Sequence, residues 1–229
     1  KAVADKMDAI VICYEKCFEE FERKKTRLLG NPRATNAVQA SFDKEYFCSL
    51  GLSLEKPLIL VVMGSLGSTS INAIMKDALP SLDESYQILF VTGKNNDKEI
   101  KKELRKDNIF VVDYVKQLAI MEHVDLIVCR AGATTAAEIT ALGTPSILIP
   151  SPYVAHNHQF YNANVLVEHK AAFMIEEKDL NADILKQKID LVMTNAQLRE
   201  EMKKNALALG KPNASEDILD WCDEMKKVK

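Results

Sequence analysis

Two glycine-bearing segments each follow an apolar run and precede a stretch with helical character. The first, LILVVMGSLGSTSINAIM (58–75), places Gly64 and Ser65 directly after the apolar run. Between a strand and a helix, backbone N–H groups and the helix N-terminus converge and favour an anion, usually a phosphate. The segment has neither a Walker A nor a GxGxxG pattern. Two interpretations stay open: a phosphate-binding turn, or a tight turn whose hydroxyl side chain only caps the helix.

The second segment, CRAGATTAAEI (129–139), has the same form and contains a single acid, Glu138. Thr135 and Glu138 have the spacing of a capping box, in which the glutamate bonds back to the N–H of the cap residue. A carboxylate can also accept hydrogen bonds from both hydroxyls of a ribose diol. Both roles stay open for Glu138. Gly132, which has no Cβ, allows a ligand to approach the backbone closely.

A third segment, SPYVAHNHQFYNAN (151–164), is dense in side chains suited to sugar hydroxyls or, alternatively, to a polar loop that leads into a helix. A metal site is not predicted, because His156 and His158 have no third ligand at suitable spacing nearby. Nucleophile signatures such as GxSxG or HExxH are also missing from the sequence. The segments therefore predict a chain that binds a ligand and is poorly equipped to catalyse by itself.

Charge and cysteine usage restrict the partners of the protein. The net charge of −3 and the pI near 5.9 provide no basic field for nucleic acid. The five cysteines are odd in number and scattered, which favours a reducing cytoplasm over a disulfide framework. The longest apolar run, PLILVVM (57–63), is far shorter than the roughly 20 residues of a membrane-spanning helix.

The positions of these segments depend on an alternation of strands and helices. Continuous apolar runs, typical of a sheet covered on both faces, predict strands at 9–14, 58–63, 87–93, 109–114, 125–129, 146–150 and 171–175. Helices are predicted at 68–82, 97–106, 115–122, 134–143, 156–170, 181–193, 195–209 and 215–228. The alternation between 58 and 175 predicts βαβ units, and thus an α/β fold with a Rossmann-like parallel sheet and helices on both faces.

Two breaks divide the chain. The turn formers of GNPRATNAV (30–38) interrupt the alternation, so residues 1–29 are interpreted as the end of a preceding domain and 30–209 as a complete one. The chain begins without methionine and soon enters a strand, which favours a segment of a longer protein. Residues 210–229 form a C-terminal helix with the only tryptophan, Trp221, which packs on its own domain or crosses back to the preceding one.

Taken together, these segments resemble the MurG family of bacterial glycosyltransferases. The resemblance covers nearly the whole chain and is densest in GNPR (30–33), GSLGS (64–68), DLIVCRAGATTAAEI (125–139), GTPSILIPSP (143–152) and NHQFYNA (157–163). It implies a GT-B architecture, in which two Rossmann-like domains face a cleft. Residues 30–209 are similar to the C-terminal, donor-binding domain of that family. Residues 1–29 are similar to the last strand and helix of its N-terminal, acceptor-binding domain.

The resemblance also implies roles for individual residues. Ser65 binds pyrophosphate, Tyr114 meets uracil through its backbone, and Glu138 binds the ribose. Gln159 holds the hydroxyls of N-acetylglucosamine (GlcNAc), with His158 beside it, and Arg33 is the phosphate-side arginine. The sequence departs from the family at two places. Met63 stands where many members have the first glycine of a GGS turn, and the arginine of GNPRA comes one residue earlier than in the common GNPVR. The implied substrate-binding set is Arg33, Gly64, Ser65, Tyr114, Ala133, Thr134, Thr135, Ala136, Ala137, Glu138, His158 and Gln159.

The activity implied by the resemblance is an inverting transfer of GlcNAc from UDP-GlcNAc to lipid I, which forms lipid II in peptidoglycan synthesis. It implies no cofactor and no metal, a general base in the N-terminal domain, and a peripheral location on the cytoplasmic face of the bacterial membrane. The segment alone is expected to be inactive. Two alternatives stay open: a UDP-sugar-binding module that needs a separate acceptor-domain chain, or another UDP-sugar enzyme of this fold, such as an epimerase or a glycolipid synthase.

Overall fold

The computed structural model of the chain is built around parallel β-strands. It describes residues 3–64, 69–93, 100, 102–104 and 106–228. The strands of the described part are β1 (Ile10–Ile12), β2 (Thr26–Leu28), β3 (Leu58–Val62), β4 (Gln87–Val91), β5 (Ile109–Val112), β6 (Leu126–Cys129), β7 (Ser146–Leu148) and β8 (Ala172–Met174). Each of the seven strands predicted from an apolar run is confirmed, with ends that are shorter by up to two residues.

Strands β3 to β8 form one six-stranded sheet with the order β5-β4-β3-β6-β7-β8. Every neighbouring pair in it is parallel. The chain starts in the middle at β3, runs outward to β5, returns to β6 beside β3, and continues to β8. The strand order therefore reverses between β3 and β6, and ligands of such sheets bind at the carboxyl ends of the strands at this switch point.

Helices cover both faces of this sheet. The α-helices whose bounds the structure describes are α1 (Arg33–Gln39), α2 (Lys44–Ser49), α3 (Thr69–Ala78), α4 (Ala133–Leu142), α5 (His158–Glu168), α6 (Ala182–Met193), α7 (Ala196–Leu209) and α8 (Ala214–Val228). Three of them begin at polar caps, where the side chain accepts from the N–H three residues on: Asp43 in α2, Asn181 in α6 and Asn195 in α7.

Alternate residues of the strands belong to two different core clusters. Leu58 and Leu60 of β3 pack in the cluster that includes α4 and α5. Ile59 and Val61 pack in the other cluster, with α3 and α6. All four side chains are fully buried. Burial on both faces explains why the strands read as continuous apolar runs instead of alternating ones.

One predicted helix is wrong. Residues 115–122 form two 3-10 turns, Gln117–Ala119 and Met121–His123, instead of an α-helix. The buried residues of this segment are Val115, Ile120 and Met121. These residues are five residues and one residue apart, so they would not lie on one face of an α-helix. With its two short 3-10 turns, the segment buries all three of them. Half of the residues of the helix predicted over 97–106 lie outside the described ranges.

Three short elements escape sequence-based prediction: β2, α1 and α2. Helix α1 starts at Arg33, within the segment taken as a break and three residues after Gly30, whose φ of +85° turns the chain. Its buried residues are only Ala34, Thr35 and Ala37. Because none of these is a large apolar residue, the periodic signal of a helix is weak there.

The N-terminal strands and the C-terminal helix pack together at one side of the main sheet. Strands β1 and β2 form a separate parallel pair. The Arg27 guanidinium lies 4.9 Å from the ring centre of Trp221 in α8, which is 6% exposed. The same guanidinium lies 2.9 Å from the Glu224 carboxylate. Helix α8 therefore returns to the N-terminal segment, whereas the division into domains at residue 30 stays a prediction.

In the described residues, no helix combines the length and the apolar character that a bilayer crossing requires.

Candidate functional site

A cleft of about 600 Å³ lies at the carboxyl ends of the central strands, at the switch point of the sheet. Gly64, directly after β3, and the segment 113–119 after β5 form one side of it. Arg33, the first residue of α1, also lines this cleft. Helix α4, which follows β6, contributes Thr134, Thr135 and Glu138. The topology thus brings the two glycine-bearing segments to one cavity, as expected for a ligand site.

The N-terminus of α4 offers free backbone donors to this cleft. Gly132 is the N-cap and Ala133 the first helical residue. The Ala136 N–H donates to Gly132 O at 2.9 Å, which starts the helical ladder. The N–H groups of Ala133, Thr134 and Thr135 precede that bond, so the helix itself gives them no acceptor. Together with the helix dipole, these groups favour an anion.

Gly132 adopts an ordinary backbone conformation, with φ −66° and ψ 146°. A Cβ at this position would meet no atom within 4 Å in the part of the chain that the structure describes. Neither backbone strain nor packing within the described residues therefore demands glycine there. The open space beside the backbone suits the close approach of a ligand.

Glu138 is the buried charged group of the cleft, with 3% of its surface exposed. Its Oε1 accepts from Arg33 Nε at 2.9 Å and from an Nη atom of the same guanidinium. Its Oε2 accepts from Gln117 Nε2 at 2.9 Å. Both oxygens are thus held by charged or polar donors, which offsets the desolvation of the carboxylate. The arrangement holds Glu138 rigidly at the wall of the cleft.

The capping-box hypothesis for Glu138 is wrong. The cap of α4 is Gly132, and Thr135 is the third residue of the helix rather than its cap. Glu138 therefore lies three residues, or most of a turn, beyond the position from which a glutamate reaches the cap N–H, and its oxygens accept from Arg33 and Gln117 instead. Sequence reasoning missed Gln117, since it lies in the segment predicted as a regular helix.

Cys129, the last residue of β6, lies beneath the cleft. It is fully buried, and burial raises the pKa of its thiol well above the usual range. The negative charge of Glu138 raises this pKa further. The thiol therefore stays protonated at neutral pH, and Cys129 serves as core packing, not as a nucleophile.

Tyr114 projects at the end of β5 with 66% of its surface exposed. Among the described residues, no group bonds to its backbone N–H or C=O. Two residues further on, the Lys116 N–H donates to the Tyr46 hydroxyl at 3.0 Å, which holds the segment in place. A fixed backbone edge with a free donor and a free acceptor is suited to pairing with a planar base.

Gly64 has a left-handed backbone conformation, with φ +88°, and a Cβ there would meet no atom of the described residues within 4 Å. Glycine is the residue that adopts this conformation at little cost. Met63 before it is buried in the core, so the departure from the family pattern at this position is absorbed by packing. Ser65, predicted to bind pyrophosphate, lies outside the described residues.

His158 and Gln159 start α5 and do not line the cleft of Glu138. Gln159 Oε1 accepts from the Ser151 N–H at 2.9 Å, and Nδ1 of His158 lies 2.9 Å from Ala155 O. One turn later, Asn162 Nδ2 donates to Ala131 O at 3.0 Å. That bond ties the first turns of α5 to the loop before α4, so the two residues stand beside the cleft rather than in it.

The alanines of the predicted set are placed differently. Ala136 is buried in the core beside Cys129, and its N–H is used within the helix. Ala133 and Ala137 line a second cleft, between α4 and the N-terminal segment. Of the twelve predicted residues, the structure brings six to one cleft: Arg33, Gly64, Tyr114, Thr134, Thr135 and Glu138.

A clamp that sequence reasoning missed ties three strand ends together. Arg130 follows β6, and one of its Nη atoms lies 3.1 Å from Ile149 O, just after β7. The same atom lies 2.7 Å from a carboxylate oxygen of Glu177, after β8. Both side chains are mostly buried, with 13% and 12% exposed. Within the described ranges, no group of three or more His, Cys, Asp or Glu side chains is placed to hold a metal ion.

Comparison with known proteins places this geometry in a family. Residues 58–218 match the model of the glycosyltransferase family 28 C-terminal domain. The chain is 37% identical over 227 residues to the UDP-N-acetylglucosamine–N-acetylmuramyl-(pentapeptide) pyrophosphoryl-undecaprenol N-acetylglucosamine transferase of Bacillus cytotoxicus, across 96% of this chain and 62% of that protein. The transferase of the same name from Bacillus subtilis (strain 168) is 36% identical over 235 residues, across 99% and 64%.

Solved structures agree with this match. The chain superposes on Acinetobacter baumannii MurG with a TM-score of 0.69 and 25% identity, over 82% of this chain and 55% of that one. A UDP-N-acetylglucosamine 2-epimerase gives a TM-score of 0.65 at 11% identity, over 92% and 54%, which shows the fold alone. The chain spans about three-fifths of the length of the curated relatives named above. The predicted fold class, one half of a GT-B enzyme, and the family resemblance are confirmed.

Proposed function

This chain belongs to the glycosyltransferase family 28 C-terminal domain family, and on that premise we propose that it binds the UDP-GlcNAc donor of a transferase that forms lipid II. The relatives' name describes transfer of N-acetylglucosamine to an N-acetylmuramyl-(pentapeptide) pyrophosphoryl-undecaprenol acceptor. The observation that carries the proposal is the buried carboxylate of Glu138 in a cleft at the switch point of a parallel sheet.

The nucleoside part of the donor fits the side of the cleft between β5 and α4. Uracil carries a donor and acceptors along one edge, which match the unpaired C=O and N–H of Tyr114. The ribose then lies toward Glu138, whose carboxylate accepts from sugar hydroxyls. Arg33 and Gln117 hold that carboxylate in position before the ligand arrives, which lowers the ordering cost of binding.

The pyrophosphate is proposed to lie between the N-terminus of α4 and Gly64, which follows β3. The free N–H groups of Ala133, Thr134 and Thr135 direct partial positive charge to that point. As the acceptor hydroxyl forms its bond to C1 of GlcNAc, the bond from C1 to the phosphate oxygen breaks and UDP leaves with additional negative charge. Donors fixed in advance stabilise that charge. The hydroxyl proton goes to a base that we assign to the acceptor domain.

The sugar is proposed to reach toward the first turn of α5. Gln159 uses its Oε1 to accept from Ser151, so its Nε2 is available to donate to a GlcNAc hydroxyl. His158 stands exposed beside it. The acceptor named for the relatives carries an undecaprenol lipid, so the reaction is proposed to take place at a membrane surface, on its cytoplasmic side.

A second candidate is a UDP-sugar-binding module that becomes active only with a separate acceptor-domain chain. Both candidates use the same donor cleft. They differ in whether turnover appears only after an acceptor domain is added as a second polypeptide.

The experiment that tests donor binding is calorimetric titration of the chain with UDP-GlcNAc, UDP-glucose and UDP. We expect saturable binding with a preference for UDP-GlcNAc. Glu138→Ala is expected to weaken all three ligands by about 1–3 kcal/mol, since hydroxyl donors lose a charged acceptor. Absence of UDP binding to the folded wild-type chain, checked by circular dichroism, argues against the proposed function.

A second variant separates sugar from nucleotide. Gln159→Ala is expected to weaken UDP-GlcNAc while it leaves the affinity for UDP within experimental error, because Gln159 lies outside the cleft of Glu138. The matched control is Gln197→Ala, an exposed glutamine on α7. An equal loss for UDP and UDP-GlcNAc in Gln159→Ala would place this side chain on the nucleotide instead.

A further inference from the structure

Gln117 is a polar residue of the cleft for which the family resemblance implies no role. It opens the first 3-10 turn after β5, lines the same cleft as Glu138, and donates from Nε2 to Glu138 Oε2 at 2.9 Å. We propose that Gln117 is a specificity-determining residue, which shares recognition of the ribose 2′,3′-diol with Glu138. The inference rests on the proposed binding of a uridine nucleotide.

The carboxylate of Glu138 has too few open positions to accept both hydroxyls alone. An ionised carboxylate offers about four lone-pair positions, two on each oxygen. Arg33 fills the two on Oε1 with two N–H groups. Gln117 fills one on Oε2. One position on Oε2 is left, enough for a single hydroxyl.

The amide of Gln117 supplies the missing acceptor. A carboxylate only accepts hydrogen bonds, so the amide end that faces Glu138 must be the NH₂ group. This contact fixes the orientation of the amide and leaves its carbonyl oxygen beside Glu138 Oε2. No described residue donates to that oxygen. The side chain is half-buried, so water competes only weakly for a hydrogen bond to this oxygen.

Two adjacent acceptors, one charged and one neutral, match two adjacent hydroxyl donors. In this arrangement one hydroxyl of the ribose donates to Glu138 Oε2 and its neighbour donates to the Gln117 carbonyl. A nucleotide that lacks either hydroxyl leaves one of these two acceptors without a partner while the bound nucleotide shields it from water, which is costly. Gln117 therefore contributes to the choice of a ribonucleotide over its deoxy counterpart.

The test compares UDP, 2′-deoxy-UDP and 3′-deoxy-UDP by calorimetric titration of the full chain. The wild-type protein is expected to prefer UDP by about tenfold or more over each deoxy analogue, the equivalent of one hydrogen bond. Gln117→Met keeps the length of the side chain and removes both polar atoms. It is expected to weaken UDP about tenfold and to abolish discrimination against one of the two analogues, while discrimination against the other is retained.

The controls separate this role from a structural one. Gln39→Met removes a glutamine that also donates to a carboxylate, Glu216 at 3.3 Å, but lies outside the cleft. It should leave all three affinities unchanged. Gln117→Asn, which retracts the amide by one methylene, serves as a second variant if Gln117→Met does not fold.

Each outcome decides the matter. If the folded wild-type chain does not bind UDP, the proposed function fails, and the inference fails with it. If UDP binds but Gln117→Met weakens all three nucleotides equally, Gln117 only positions Glu138 and the inference is overturned. Unchanged affinities in a folded Gln117 variant overturn it as well. Selective loss of discrimination against one deoxy analogue supports it.

Discussion

Arg33 has a different immediate partner from the one that the family resemblance implies. The resemblance makes it a phosphate-side arginine, whereas the structure places its guanidinium on the Glu138 carboxylate. The arginine side chain is 43% exposed and the glutamate side chain only 4%. A buried carboxylate needs a compensating donor more than a half-exposed guanidinium needs an acceptor. We infer that Arg33 first stabilises Glu138, and that its remaining N–H groups are available to a ligand.

This placement predicts a loss of stability in Arg33→Met. The substitution leaves Glu138 buried with Gln117 as its remaining partner, at an expected cost of about 1–3 kcal/mol in the free energy of unfolding. Urea denaturation followed by circular dichroism measures it. As a control, Lys106→Met removes an exposed ion pair with Glu84 and should cost less than about 1 kcal/mol. Wild-type stability combined with weaker UDP binding would assign Arg33 to the phosphates alone.

At the scale of the element, a glycine stands at each end of α4, and each has a different structural reason. Gly143 ends the helix in a left-handed conformation, with φ +69°. A Cβ there would lie 2.7 Å from Cγ of Leu207 in α7, so both backbone and packing require glycine. Gly132 starts the helix with an ordinary φ and open space beside it. Gly143 is therefore needed for the fold, whereas Gly132 leaves room for a ligand at the site.

The two glycines predict opposite phenotypes. Gly143→Ala is expected to lower the free energy of unfolding by about 1–3 kcal/mol, through the left-handed conformation and the clash with α7. Gly132→Ala should retain wild-type stability and weaken UDP-GlcNAc, because its methyl group enters the space proposed for the ligand. Thermal unfolding and calorimetric titration of both variants measure these effects. Full ligand affinity in Gly132→Ala would remove this space from the binding site.

At the scale of the whole molecule, the N-terminal strands and α8 form a small unit beside the main sheet. Strands β1 and β2 have three residues each and pair only with each other. An ion pair between Arg27 and Glu224 joins β2 to α8. Their side chains are 47% and 59% exposed, so the pair contributes little to the free energy of unfolding. The main sheet has six strands with a buried face on each side. The small unit is therefore the less stable part.

The only tryptophan reports on this unit. In a urea titration, the fluorescence of Trp221 is expected to change at a lower midpoint than the far-ultraviolet circular dichroism of the whole chain. Arg27→Met removes the cation above the indole and should lower the fluorescence midpoint alone. Coincident transitions by both probes would mean that the small unit and the main sheet unfold together.

The fold class could be predicted from the sequence because burial on both faces of a strand leaves a local pattern. LILVVM is apolar throughout and QILFVTG is apolar from Ile88 to Val91, and they form β3 and β4 in the interior of the sheet. Helix α4 was predicted at 134–143 and lies at Ala133–Leu142. Its C-terminus is marked in the sequence by Gly143. Weak local patterns explain the misses, as in α1, whose buried residues are small.

Side-chain partners at the site had no such local pattern. Arg33 and Glu138 are 105 residues apart, and Gln117 and Glu138 are 21 apart. Thr135 and Glu138 matched a local motif, yet the helix began two residues before Thr135 and Glu138 turned to distant partners. The amino-acid sequence determined which segments are strands and helices, because apolar burial and turn chemistry act over a few residues. Which side chains meet was decided by the strand order, since only the packed sheet brings the ends of β3, β5 and β6 to one cleft.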